Sequence, residues 1–243
     1  MKPDVRTTLT KKAPDRAARR RARRVLELLA AQQGPLAGKQ RYDPVSELVV
    51  AILSQHTSDV NAAKAYGRLR EAYGTWEEVM EAGPEGIAPY VQTAGLGRIK
   101  APRIVAALKR IVELRGELDL SFLSAMSLVE AKAWLRAIPG VGPKTAAIVL
   151  CFSFGMPAMA VDTHVFRVAR RLGLIGPKVT ADQAHDILEG LVSPSDVYAF
   201  HVYLITHGRQ VCRAQRPLCG QCALAEHCPS RGLFLAAPTS KTS

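Results

Sequence analysis

The chain has 243 residues, 48% hydrophobic and 22% charged, the balance of an ordinary globular protein with one large domain or two smaller ones sharing a core. Its net charge of +12 favours a nucleic acid or another anionic surface as partner. Glycine and proline are spread along the chain, which excludes a low-complexity architecture. No apolar h-region follows the basic start, and the most apolar stretch, 146–161, is broken by Ser153, Gly155 and Pro157. It falls short of the roughly 20 residues that a membrane span needs. A secretory signal and a membrane span are therefore not expected, and a cytoplasmic protein is.

The positive charge is uneven. Residues 1–24 hold ten lysines and arginines against Asp4 and Asp15, which accounts for +8 of the +12. Residues 1–14, with Pro3 and Pro14, read as a disordered basic tail. Beyond it the pattern is helical. Asp43-Pro44 has the form of an N-cap with proline in the first helical position, followed by the apolar stripe Leu48, Val49, Ile52 and Leu53. Thr75 with Glu78, Ser127 with Glu130 and Thr180 with Gln183 are capping-box pairs that open further helices. Ser193–Asp196 opens a run through Val197, Phe200, Tyr203 and Leu204. Gly74, Gly83, Gly95 with Gly97, Gly116, Gly173 and Gly208 read as helix ends. No segment alternates as a strand would, so the fold class is all-α, with about ten helices and a boundary near 150–157.

The segment 127–155 reads helix, tight turn, helix, with the turn at Ile138-Pro139-Gly140-Val141-Gly142-Pro143-Lys144. Gly140 and Gly142 let the backbone turn sharply around Val141 and approach a ligand closely. Amides of the turn and of the next helix N-terminus then point outward together, an arrangement that suits a phosphate. A plain helix–helix connection would use a similar turn. Lys144, just after it, either binds phosphate or serves as a nucleophile, since the positive end of a helix dipole disfavours its ammonium form. Asp162 reads as the N-cap of a helix at 165–172.

Four of the five cysteines, Cys212, Cys219, Cys222 and Cys228, follow Cys-x6-Cys-x2-Cys-x5-Cys. In a reducing compartment such a cluster is a metal site before it is a disulfide framework, and four thiolates suit either zinc or a [4Fe–4S] cluster. Cys151, within an apolar helix, reads as a core residue.

The string 138–144, the segment Ala160-Val161-Asp162-Thr163-His164-Val165-Phe166-Arg167-Val168 and the cysteine spacing together resemble the endonuclease III family of helix–hairpin–helix DNA glycosylase/AP lyases, over about residues 20–230. The resemblance implies a six-helix barrel domain at 37–155 carrying the hairpin, and a [4Fe–4S] domain from 15–36 and 156–232. A flexible tail at 233–243 would come after them, and the active site would lie in the cleft between the domains. It implies Lys144 as nucleophile, Asp162 as the assisting carboxylate and His164 as either an orienting or a packing residue. The four cysteines would hold the cluster, and Arg213 and Arg216 would reach the DNA backbone. Base chemistry requires the nucleotide to leave the stack. The segment 52–59 resembles the family's plug, with Gln55 or His56 as the plugging side chain; His56 stands where the family often has glutamine. The segment 95–101 resembles a second wedge, Leu96, although Leu96 also suits ordinary loop packing.

The implied activity is a bifunctional DNA N-glycosylase/AP lyase. It acts as a monomer on double-stranded DNA with damaged bases or abasic sites, removing oxidised pyrimidines and cutting 3′ to the site by β-elimination. Two alternatives are a monofunctional adenine-type glycosylase, which would not need Lys144, and a non-catalytic helix–hairpin–helix module, which would need neither Lys144 nor Asp162.

Overall fold

The computed structural model describes residues 15–36 and 42–235. The basic tail read at 1–14 lies outside the described residues, as does most of the C-terminal tail read at 233–243. Among the described residues there are eleven α-helices and no strand. They are α1 Arg16–Gln33, α2 Pro44–Leu53, α3 Asp59–Ala72, α4 Trp76–Val91, α5 Gly97–Arg115, α6 Leu128–Arg136, α7 Pro143–Phe154, α8 Thr163–Arg171, α9 Ala181–Glu189, α10 Val197–Gln210 and α11 Arg231–Leu235. No described helix is long and apolar enough to cross a membrane.

Local chemistry explains most helix starts. Asp43 accepts the amides of Val45 and Ser46 ahead of Pro44, and the three capping boxes at Thr75, Ser127 and Thr180 all form. Each such cap is worth about 1 kcal/mol. Gly83 (φ 67°) leaves the helical region and, with Pro84 behind it, breaks α4 into two pieces. Gly116 closes α5 with φ 84°, a left-handed conformation that glycine adopts without steric cost.

Two of the sequence expectations change. Gly208 does not end a helix: it lies inside α10, where a Cβ would meet His164 Cβ at 2.9 Å and Val168 Cγ2 at 3.2 Å. Its lack of a side chain lets α8 and α10 approach each other. Residues 233–235 belong to α11 rather than to a loose end, and Arg171 stacks over Phe234 with 4.3 Å between guanidinium carbon and ring centre.

The helices bury two apolar cores. One collects α2–α7, including Leu48, Ile52, Ile104, Leu108 and Leu150. The other joins α1 to α8–α10, through Leu29, Val168, Leu188 and Phe200. Between them runs an extended segment, 156–162, in which alternate residues serve opposite sides. Ala158 and Ala160 enter the first core, and Met159 and Val161 the second. The segment between α7 and α8 is therefore a packed seam, and it ends at Asp162.

Candidate active site and cysteine recess

The hairpin turn forms as expected in outline. Gly140 takes φ 79°, Gly142 is the N-cap residue of α7 without a side-chain cap, and Pro143 occupies the first helical position. Nothing lies within 4 Å of where a Cβ on Gly142 would be, so that side of the turn is open to a ligand. One expectation is corrected: the amide of Val141 donates to Ile138 O at 3.1 Å, and Val141 is itself buried. Val141 thus closes the turn and has no amide to offer a phosphate. Lys144 stands one residue into α7 with its side chain exposed.

Asp162 caps α8, its Oδ1 accepting from Val165 N at 2.7 Å. The cap uses one carboxylate oxygen and leaves Oδ2 outside it. The seam that delivers Asp162 is fastened by three side chains. Glu189 accepts the amide of Met159 at 2.9 Å and is paired with Lys132 at 2.6 Å. His185 donates to Met159 O at 2.7 Å, and His201 donates to Ala160 O at 2.8 Å. His201 is buried, and burial above all pushes its pKa down. The hydrogen bond to Ala160 and the Asp162 charge oppose that shift, and the Lys144 charge adds to it. Asp162 and Lys144 therefore both lie within electrostatic reach of one imidazole. His164 packs at the α8–α10 crossing, its Nδ1 3.1 Å from the guanidinium of Arg167.

Gln55 and His56, adjacent in sequence, stand in different situations. Gln55 is half-buried; it donates to Gly140 O at 3.4 Å and accepts from Arg103 at 2.9 Å. It thereby bridges the α2–α3 loop to the hairpin and to α5. His56 is exposed and held at φ 54°. Leu96, the N-cap residue of α5, is likewise left-handed at φ 53° and is 53% exposed. A side chain that is both exposed and strained at the backbone marks a functional position more often than a packing one, and Leu96 does not pack into its own loop.

The four cysteines line one recess together with His207 and Arg171. Among the described residues no three His, Cys, Asp or Glu side chains converge on a single-ion site. Arg171 donates to Cys212 Sγ at 3.3 Å, and His207 Nε2 lies 3.6 Å from Cys222 Sγ. Burial, opposed by the Leu224 amide and reinforced by the other three cysteines, pushes the Cys222 thiol up. The loop is strapped by Arg171, which donates to Arg213 O at 2.7 Å and Ala214 O at 3.0 Å. Arg213 and Arg216 are exposed on it, Arg216 with φ 50°. Cys151 is buried in α7, away from this recess.

Residues 49–194 match the model of the HhH-GPD superfamily of base excision DNA repair proteins. Endonuclease III of Thermotoga maritima is 37% identical over 187 residues, covering 76% of this chain and 83% of that protein. A solved non-covalent complex of an endonuclease III with DNA superposes with a TM-score of 0.78 at 27% identity, covering 90% of this chain and 99% of the other. A trapped covalent endonuclease III–DNA intermediate, an estranged-adenine complex, gives 0.77 at 27% identity, covering 89% and 98%.

Proposed function

The chain belongs to the HhH-GPD superfamily, in its endonuclease III branch of DNA glycosylase/AP lyases of base excision repair, and on that premise we propose that Lys144 is its nucleophile, Asp162 its assisting carboxylate and oxidised pyrimidines in duplex DNA its substrates. The observation that carries this reading is geometric: Lys144 is exposed in the first turn of uncapped α7, beside the open side of the hairpin turn, while Asp162 caps α8 through one carboxylate oxygen and leaves the other outside the cap.

The uncapped start of α7 offers backbone N–H groups and the positive end of its dipole to a phosphate, which positions the strand with Lys144 beside the sugar. Lys144 is exposed in the free protein, so its desolvation accompanies DNA binding. The neutral amine attacks C1′. The C1′–N bond breaks, and the base departs with the electron pair. Asp162 helps accept the proton from the attacking amine and stabilises the positive charge that builds on the sugar. Ring opening leaves a lysine imine at C1′, which acidifies the C2′ proton. Loss of that proton expels the 3′ phosphate from C3′, and water releases Lys144.

The cysteine recess fits a [4Fe–4S] cluster in its donor set: four thiols line one recess, and Arg171 donates to Cys212 Sγ. Cys212, Cys219, Cys222 and Cys228 would hold it, and when bound it supplies a rigid cross-link that lets thiolates form in a buried place. Arg213 and Arg216 then meet the DNA backbone, a contact that positions without reading sequence. Of the two plug candidates we assign His56, because Gln55 is engaged by Gly140 and Arg103, and Leu96 is the wedge.

Borohydride trapping tests the mechanism. Reductant added during turnover should crosslink wild-type protein to lesion-bearing duplex, with the crosslink mapping to Lys144. Lys144→Ala should bind that DNA without crosslinking. Base release without trapping, or trapping that persists in Lys144→Ala, rejects the covalent lysine.

A further inference from the structure

Lys100, in the first turn of α5, is buried to 1% exposure. Its ammonium donates to two main-chain carbonyls, Leu53 O and Ala94 O, each at 2.7 Å. Leu53 is the last residue of α2, and Ala94 is the last of a 3-10 turn over Gln92–Ala94. Terminal carbonyls of helical turns lack a partner within the turn and carry the negative end of its dipole. One cation satisfies two such ends.

Each of these carbonyls stands just before a strained residue. His56 lies three residues after Leu53, and Leu96 lies two after Ala94. They are two of the three described non-glycine residues with positive φ. Strained conformations persist where the surroundings over-determine them. Leu96 is also gripped from α5, its carbonyl accepting the amides of Ile99 and of Lys100 itself. Lys100 thus holds the Leu96 loop through its main chain and through Ala94, and the same side chain holds the base of the His56 loop.

We propose that Lys100 is a positioning residue that locks the His56 and Leu96 loops into one two-pronged unit, so that plug and wedge enter the duplex together. The proposal rests on the reading that those two side chains enter the duplex. A lysine is suited to the task because its ammonium is compact, with three rotatable donors on a flexible stem, whereas an apolar residue would leave both carbonyls buried without partners.

A double-mutant cycle tests it, read as the single-turnover rate on a lesion duplex divided by the rate of β-elimination on a single-stranded abasic oligonucleotide, which has no stack to open. His56→Ala and Leu96→Ala should each lower this ratio by about tenfold or more. Combined, they should lose less than the product of the two losses, by about fivefold, because contacting or shared-partner sites couple to that extent. In Lys100→Met the ratio should fall and the coupling should vanish. Additive losses in the wild-type background, or coupling that survives in Lys100→Met, would overturn the proposal. Should Lys100→Met not fold, Lys100→Arg takes its place: it keeps the charge without the compact fit, so coupling should weaken, and unchanged coupling overturns the proposal. If neither His56→Ala nor Leu96→Ala moves the ratio, the duplex-entry reading has failed instead.

Discussion

His201 holds Ala160, two residues before Asp162: its Nδ1 donates to the Ala160 carbonyl at 2.8 Å from a position with 3% exposure. The carbonyl can only accept, so the ring carries its proton on Nδ1. Burial lowers the His201 pKa below its ordinary 6.5, and His185, on the neighbouring Met159 carbonyl, is lowered by burial as well. The unfolded chain therefore takes up protons more readily than the folded one below about pH 6.5. The stability contributed by neutral His201 and His185 is complete above that value and is lost as pH falls through the folded pKa values. Melting temperatures measured between pH 8 and pH 5 should drop on the acid side, and His201→Gln should flatten part of that drop. An equally steep profile in the variant would remove His201 from this account.

Asp162→Asn separates its two roles. Asparagine caps a helix about as well as aspartate, so the bond to Val165 N survives and the melting temperature should change little. The charge proposed to face the cationic sugar is gone, which should slow single-turnover cleavage by about a hundredfold, the equivalent of about 3 kcal/mol. A variant that melts much lower but reacts at the wild-type rate would leave Asp162 with the cap alone.

How much of this arrangement is readable in sequence depends on how local its physics is. The caps at Asp43, Thr75, Ser127 and Thr180 are legible because donor and acceptor lie within three residues of one another. The hairpin turn is legible for the same reason, and the cysteine cluster because its four members follow one another along a short stretch of chain. Gly208 is not, because its meaning is the distance between two helices, which only its neighbours His164 and Val168 on α8 reveal. Nor is the division of labour between Gln55 and His56, which rests on partners 48 and 85 residues away. His201 and Lys100 leave a faint signal. Lys100 stands at helical spacing with Ile104, Leu108 and Ile111, all buried, and so falls on an apolar stripe where a lysine needs explaining.

Gly208→Ala should show how tightly the site depends on that crossing. The added methyl meets His164 Cβ at 2.9 Å and Val168 Cγ2 at 3.2 Å, so α8 must move away from α10. Overpacking of this kind costs about 1–3 kcal/mol, and the moving helix carries Asp162 at its start. Both melting temperature and single-turnover rate should fall. An unchanged rate with a lowered melting temperature would mean that Asp162 is held by the seam and not by α8.

The recess should contain iron. Protein prepared without oxygen should be brown, with about four irons per chain for a [4Fe–4S] cluster, and Cys222→Ser should lose colour and soluble yield together. Stoichiometric zinc without iron would replace the cluster by a single-ion site.

The left-handed backbone at His56 allows stability and activity to be driven in opposite directions. A non-glycine residue at φ 54° is strained by about 1–2 kcal/mol, because its Cβ crowds the following carbonyl. Glycine has no Cβ and adopts the same φ freely, although it gives back part of the gain through the larger entropy of the unfolded chain. His56→Gly should therefore leave the protein as stable as wild type or more stable by up to about 1 kcal/mol. It also removes the side chain assigned to fill the space left by the flipped nucleotide, so cleavage of a lesion in duplex DNA should slow by about tenfold or more, at roughly 1.4 kcal/mol per factor of ten. Gln55→Ala should behave differently. It breaks the bridge between Gly140 and Arg103 and should lower the melting temperature, with a smaller loss on the duplex. Thermal melts and single-turnover rates on the two variants decide the assignment. If Gln55→Ala loses the duplex activity and His56→Gly keeps it, Gln55 must release Gly140 and Arg103 on binding DNA, and the plug is Gln55.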